Sequence, residues 1–446
     1  MEDDIATHLR EISRSFTYKV TAFDQKIKDF MKRWEVKYNK DQINAIKSSL
    51  NNNITIITGG PGTGKTTIIN AIVKLYIQDR NMDNIEVLKH IALLAPTGRA
   101  SRKMAESTGL PAMTIHRYLK WNKENNDFGV NEYNKEFHKL IIVDEVSMID
   151  TFMFSSLLKG LTSNIKLILV GDVNQLPSVG AGIVLNDLIT SDCFKYCPLE
   201  IIYRQSENSY IPYLCRDIKN RELTDNFLEQ KDDYNFLSVN NQNIRSSILK
   251  ICEKASEKNL SERDIQVLAP MYKGENGIDN LNIILQKLFN PESKNKSEIK
   301  IFDCLYREGD KVLQLVNDPD SNVFNGDIGY IKRIGKRSDY KDKEIIEIDF
   351  DGNLILFKRE DMHMIKHAYA ISIHKSQGSE FNHVIMPISN GYNRMLYNRL
   401  IYTGVSRAKS SLVIIGSSEI FKMAINNTYS EMRKTDLKRK IMNNFL

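Results

Sequence analysis

ITIITGGPGTGKTTIINAIVKLYIQ, residues 54–78, passes from a continuous apolar run through a glycine-rich turn into a segment whose apolar positions recur at helical spacing. An apolar run without alternation, such as ITIIT (54–58), reads as a strand buried on both faces of a parallel sheet. GGPGTGKTT (59–67) then meets the pattern G-x-x-x-x-G-K-[ST] through Gly59, Gly64, Lys65 and Thr66, in the strand–turn–helix context that confirms it. Glycines let backbone N–H groups curl around phosphate oxygens, and the helix amino terminus adds positive potential. The candidate nucleotide contacts are Gly60, Pro61, Gly62, Thr63, Gly64, Lys65, Thr66 and Thr67. Lys65 would reach the β and γ phosphates, and the Thr66 hydroxyl would ligate Mg2+. A glycine-rich turn that holds no nucleotide is the competing reading.

Outward from this stretch, IALLA (91–95), LIIV (140–143) and IKLILV (165–170) are three more continuous apolar runs separated by helical patterns. That alternation predicts a doubly wound α/β domain with a parallel sheet. LIIV is followed by Asp144-Glu145, where both carboxylates would face the crevice at the carboxyl ends of the strands. Asp144 is the candidate metal ligand, and Glu145 the candidate to orient or deprotonate an attacking water. A solvated acidic turn is the alternative. LVGDVNQLPSVGAG (169–182) is again a strand ending in polar residues, and the Gln175 amide can sense a γ-phosphate because it both donates and accepts hydrogen bonds. From spacing alone, Arg204 in IYRQ and Arg407 in GVSRAK are equally well surface arginines or site cations.

A chain of 446 residues exceeds one ordinary core. We expect a helical segment over 1–35, a first α/β domain over 36–225, a second over 226–305 and 367–446, and a small β-barrel inserted at 306–366. The second α/β unit is marked by DIQVLAP (264–270), HVIMPI (383–388) and SLVIIG (411–416), and the barrel by short strand-like pieces between turn signals. WNKENNDFGVNEYNKEFHK (121–139), polar and rich in Asn, reads as an excursion from the first domain, a hairpin or a solvated loop. The stretch after 419 is mixed in charge and reads as a solvated helix. With 41% hydrophobic and 26% charged residues, the composition is that of a globular protein, and the net charge of +6 permits a nucleic-acid partner without demonstrating one. No apolar run approaches the ~20 residues that span a bilayer, so no membrane role is expected. Five scattered cysteines, with Cys193 and Cys197 lacking a second Cys/His pair, read as reduced thiols rather than zinc ligands. The expected location is cytoplasmic, in a bacterial or phage-like cell and at its nucleoid.

Taken in order, the motifs resemble those of superfamily 1B DNA helicases, most closely the RecD-like branch, over about residues 36 to 416. The resemblance is carried by YNKDQINAI (38–46), GGPGTGKTT, LLAPTGRAS (93–101), TIHRYL (114–119), LIIVDEVSMID (140–150), LVGDVNQLPSVGAG and IYRQSENS (202–209). In the second half it continues through VLAPMYKGENGIDNLN (267–282), NVFNGDIG (322–329), AISIHKSQGSEF (370–381) and LIYTGVSRAK (400–409). IHKSQGSE separates this branch from the UvrD-like one. The likeness implies two RecA-like P-loop domains, a hairpin inserted in the first and an SH3-like barrel in the second. It assigns Gln42 to the adenine, makes Gln175, Arg204 and Arg407 γ-phosphate contacts, and places Gly378 and Glu380 near the nucleotide. It also implies ATP and Mg2+ as cofactors.

By the same likeness, single-stranded DNA would meet Pro96, Thr97, Arg99, Thr114, His116, Arg117, Met271, Tyr272, His374 and Ser376. Met271 and Tyr272 could equally be core residues, and His374 a satisfied core histidine. Trp121 and Phe128 are the candidate wedge that splits a duplex. About 40 residues precede Gln42, whereas long RecD-like helicases carry a large amino-terminal extension, so a short helicase or a truncated core is expected. The leading expectation is a monomeric ATP-dependent helicase moving 5′ to 3′ in DNA repair or recombination, on single-stranded and tailed duplex DNA, with other repair proteins as further partners. A translocase subunit of a repair or nuclease complex is the alternative. A P-loop kinase or GTPase is disfavoured because no N-K-x-D element follows a strand, and a dead scaffold because Lys65, Thr66, Asp144 and Glu145 are all present.

Overall fold

The computed structural model describes residues 1–15, 18–122, 124–201, 209–318, 321, 323–337, 343–392, 395–428 and 433–445. The chain divides into two compact units, one of Met1–Gln205 with Glu431–Leu446 and the other of Ser206–Ser430. In the first unit six parallel strands stand in the order Ala112–Thr114, Ile91–Ala95, Leu140–Val143, Lys166–Gly171, Ile54–Gly59, Lys195–Leu199. The four runs read from the sequence are the four central strands. Their side chains are buried on both faces, as continuous apolar runs require. The two edge strands leave no mark in the sequence, because three to five residues of mixed exposure make no apolar run.

The ends of the chain correct the expected boundaries. The helix Glu2–Arg14 buries Ile5, Leu9 and Ile12, and the helix Leu437–Phe445 buries Leu437 and Ile441 in the same apolar cluster. Residues 1–35 therefore begin the first unit rather than precede it. The final stretch belongs to that unit too, and is not a solvated helix of the second. Leu437 and Ile441 lie one turn apart, so the mixed charge of the segment conceals a narrow apolar stripe that demands a partner. Conversely, the helix Ile211–Asn220 packs in the second unit, where the Asn398 side-chain amide donates to the Ile218 carbonyl at 2.7 Å. The 121–139 excursion is a short hairpin, Trp121–Asn122 paired with Asp127–Phe128, followed by irregular chain.

The second unit has five parallel strands in the order Ala370–Ser372, Ile265–Ala269, Phe381–Ile388, Ala408–Gly416, Tyr234–Ser238. Again the three expected strands are central and the edges are new. Five antiparallel strands form the inserted barrel, ordered Asn353–Lys358, Lys343–Phe350, Ile328–Arg337, Lys311–Gln314, Ile365–His367. Val312, Ile331, Ile346, Ile348 and Phe357 fill it. Asp310, fully buried, joins barrel to α/β layer by accepting from Gln286 and Asn290 at 2.7 Å each, from Tyr369 at 3.0 Å and from His367 at 3.1 Å. Among the described residues no helix is long and apolar enough to cross a membrane, and all five cysteines are free thiols.

Candidate nucleotide site and nucleic-acid surfaces

The strand Ile54–Gly59 delivers the glycine-rich loop to the carboxyl edge of the first sheet, and the helix Lys65–Arg80 departs from it. Gly62 and Gly64 adopt φ of 75° and 85°, a region that only glycine enters without strain. Lys65 Nζ donates to the carbonyls of Gly59 at 2.6 Å and Gly60 at 3.0 Å, and Thr63 Oγ1 donates to Gly60 O at 2.8 Å. Pro61 and Thr66 are half-buried and Thr67 is exposed.

Gln42, the expected adenine contact, also shapes the loop. Its Oε1 accepts from Asn39 N at 3.1 Å in a capping box that starts the helix Lys40–Asn51, and its Nε2 donates to Thr63 O at 3.1 Å. A Cβ on Gly64 would stand 2.6 Å from that same Nε2, so the amide and the glycine are fitted to each other. One Nε2 hydrogen remains for a further acceptor.

Asp144 and Glu145 follow the strand Leu140–Val143, which lies two places from the loop's strand in the same sheet. Asp144 Oδ1 accepts from Glu145 N at 2.8 Å, while Glu145 sits at φ 53°. Burial, with the adjacent Glu145 carboxylate, pushes the Asp144 carboxyl up to about 6, against a pull downward from Lys65. Gln175 is buried, and its Nε2 donates to Asp172 Oδ2 at 3.3 Å. Glu145 Oε2 and Gln175 Oε1 are buried without a hydrogen-bond partner among the described residues. Buried acceptors of this kind call for a donor or cation, and Asp144 and the Thr66 hydroxyl offer the oxygen ligands that suit Mg2+.

The expected nucleic-acid contacts divide. Thr97 and Thr114 spend their hydroxyls on helix starts, accepting from Ala100 N and Arg117 N at 3.2 Å each. Pro96 and Arg99 are half-buried and Arg117 is exposed. His116 packs against both hairpin aromatics, its ring 6.0 Å from Trp121 and 6.0 Å from Phe128, and burial lowers its pKa. In the second unit Met271 and Tyr272 are half-buried, with Lys366 Nζ 4.8 Å from the Tyr272 ring centre. His374 is half-buried with its pKa lowered by burial. Ser376 is wholly buried and gives its hydroxyl to Ile373 O at 2.7 Å, which corrects its assignment as a surface contact. Its neighbour Lys375 instead bridges to Asn325 Oδ1 at 2.7 Å, joining two motif stretches that the sequence left apart. Lys366 and Lys375 are the cations that motif spacing alone did not single out.

Arg204 lies outside the described residues. Arg407 is buried and bonds within its own unit, to Thr403 O at 3.1 Å, Ser379 O at 3.0 Å and Ser406 Oγ at 3.0 Å. Gly378 takes φ 74°, and Glu380 lies 3.5 Å from Lys409. Phe128 is buried in the first unit's core, so it cannot be the exposed tip of a wedge, and Trp121 is partly buried against it with ring centres 4.7 Å apart. The exposed aromatics of the excursion are Tyr133 and Phe137, at 92% and 71% exposure.

A glycine-rich loop, paired carboxylates and a glutamine, all following neighbouring parallel strands, are the marks of a P-loop nucleotide-binding fold. Family models match in the same order as the architecture: an AAA domain over residues 42–181, the SH3 domain of ATP-dependent RecD-like DNA helicases over 281–350, and a UvrD-like helicase C-terminal domain over 367–415. Along most of its length the chain is similar to RecD-like DNA helicases. It is 30% identical to the ATP-dependent RecD2 DNA helicase of Deinococcus radiodurans over 90% of its own length and 52% of that protein's. It is 28% identical to the RecBCD enzyme subunit RecD of Haemophilus influenzae, covering 93% of this chain and 74% of that one. The chain thus spans about half the length of the first of these relatives. The Pif1 helicase of Candida albicans shares the fold, with a TM-score of 0.51, 17% identity and coverage of 88% of this chain and 99% of that one. The fold is two RecA-like P-loop domains with a hairpin in the first and an SH3-like barrel in the second.

Proposed function

We propose that the chain is an ATP- and Mg2+-dependent DNA helicase that moves along single-stranded DNA, 5′ to 3′, in repair or recombination. The observation that carries this reading is the set Lys65, Asp144, Glu145 and Gln175, gathered at one sheet edge of a chain built as a RecD-like helicase. Lys65 would turn from the Gly59 and Gly60 carbonyls to the β and γ phosphates. Thr66 and Asp144 would hold Mg2+, which when bound neutralises phosphate charge. Glu145 would accept the proton of the attacking water, and Gln175 would meet the γ-phosphate through its unpartnered Oε1 side by way of that water. Arg204 and Arg407 are the candidates to complete the charge around the transferring phosphoryl group. Gln42, already fitted to the loop, would turn its remaining N–H to the base.

For the nucleic acid, we assign Arg99, Arg117, Tyr272 and His374 to the strand, with base stacking on Tyr272 worth ~1–3 kcal/mol. Strand separation falls to Tyr133 and Phe137 rather than Trp121 and Phe128. The direction is the one the resemblance implies. The expected result is ATP hydrolysis stimulated by single-stranded DNA, with Lys65→Ala losing hydrolysis by at least about 10²-fold while still binding DNA. Clean protein without DNA-stimulated hydrolysis would sink the proposal. A second reading, a translocase subunit within a larger repair assembly, draws on the likeness to a RecBCD subunit over most of this chain. It would be favoured by hydrolysis and translocation without unwinding.

A further inference from the structure

Arg433 lies more than 250 positions from the loop it grips. Its Nη1 donates to Gly180 O at 2.7 Å, to Gly182 O at 3.0 Å and to Ser178 Oγ at 3.4 Å, and its Nη2 donates to Ser178 O at 2.7 Å. One guanidinium therefore gathers three backbone carbonyls of the segment that follows Gln175. Carbonyl dipoles aimed at one point repel one another unless a cation lies among them, and the planar, permanently charged fork of arginine suits several acceptors at once.

The arginine is itself held. Thr435 Oγ1 lies 3.0 Å from Glu2 Oε1 and 2.9 Å from Asp187 Oδ2, Asp436 N donates to Glu2 Oε1 at 3.2 Å, and Leu437 is buried. The far side of the loop is braced against the end of the carboxylate motif. Thr151 N donates to Ala181 O at 3.0 Å, and a Cβ on Gly180 would stand 2.0 Å from Asp150 Oδ2. Between the grip at Ser178 and Gln175 lie only Leu176, which is buried, and Pro177, whose ring fixes its φ. The position of Ser178 is thereby transmitted to the Gln175 side chain with little slack.

We propose that Arg433 is a positioning residue for the hydrolytic step: from the carboxyl-terminal segment it sets the loop that presents Gln175. This rests on the ATPase reading above and deepens it. A mere clasp for the chain terminus would cost stability without acting through Gln175, whereas a positioning role must vanish when Gln175 is absent.

The test is a double-mutant cycle on the full chain, with Arg433→Ala, Gln175→Ala and the pair, reading kcat and KM for ATP in saturating single-stranded DNA. We expect Arg433→Ala to lower kcat by about tenfold to a hundredfold, the scale of a misplaced catalytic group, with KM for ATP and DNA affinity changed less than about twofold. In the Gln175→Ala background the same change should cost less than about twofold. Arg433→Lys, which keeps charge but not the fork, should recover part of the loss. Unchanged kcat in Arg433→Ala, or an equal loss in both backgrounds, overturns the inference. Should Arg433→Ala fail to fold, Arg433→Lys and Arg433→Gln carry the same cycle with the same criteria. A wild-type chain without hydrolysis would instead refute the ATPase reading itself.

Discussion

Asp187 and Asp310 are both buried carboxylates, and their surroundings push them in opposite directions. Burial pushes the Asp187 carboxyl up to about 6, opposed by the Thr435 hydroxyl and reinforced by Glu2. A single hydroxyl proton cannot serve both Glu2 and Asp187, so a protonated Asp187 supplies the missing donor. Its folded pKa exceeds the unfolded value, so the folded state binds the proton more tightly and is stabilised as pH falls through about 6 towards 4. At Asp310 burial also pushes upward, but His367, Asn290 and the Arg307 amide outweigh it and hold the carboxyl below the usual range. That stability is present above the unfolded value of about 4 and is lost as pH falls below it. Urea melts between pH 7 and 5 should show wild type gaining stability relative to Asp187→Asn, by roughly 1–2 kcal/mol. Asp310→Asn should lose stability relative to wild type at pH 7, and the difference should shrink as the pH drops below 4. The opposite order of either pair would refute these environments. None of this was legible in the sequence, where both residues are single acids with no motif. Lys65, Asp144 and Glu145 were legible, because phosphate chemistry fixes their spacing from a strand end.

At the scale of elements, the hairpin separates packing from function. Phe128 and Val130 belong to the first unit's core, so deleting residues 122–137 would empty part of that core and confound any assay of unwinding. Phe128→Ala should cost about 3–5 kcal/mol in stability. Tyr133→Ala and Phe137→Ala touch exposed side chains and should stay within about 0.5 kcal/mol of wild type. The exposed pair together should reduce unwinding several-fold at unchanged DNA-stimulated hydrolysis. A melt and a strand-displacement assay on the same variants check both, and unimpaired unwinding by the double variant would remove the exposed aromatics from that role.

The elements that sequence reading found are those whose burial leaves a strong pattern, namely the seven central strands of the two sheets and the helix after the phosphate loop. It missed Ala112–Thr114 and Ala370–Ser372 because three residues set no period, and Tyr234–Ser238 and Lys195–Leu199 because an edge strand mixes buried and exposed positions. The terminal helix reads as solvated in the sequence for a related reason. Its apolar stripe is two residues wide and becomes meaningful only beside Ile5, Leu9 and Ile12, which lie at the opposite end of the sequence.

For the molecule as a whole, the same architecture is built twice, a parallel sheet whose central strands come from apolar runs, with a β insertion in the second copy. The first unit carries the phosphate loop, the carboxylates and Gln175, and the chain returns to it at Arg433 after completing the second. That return makes the segment from Arg433 part of the unit that carries the phosphate loop. The proposed function couples hydrolysis at this loop to directed movement on DNA. It is tested most directly by displacement of a labelled strand from duplexes bearing a single-stranded 5′ tail, a 3′ tail or none, with and without ATP and Mg2+. ATP-dependent displacement is expected from the 5′-tailed duplex, and little from the others. Displacement that needs no ATP, or that starts only from the 3′ tail, would contradict it.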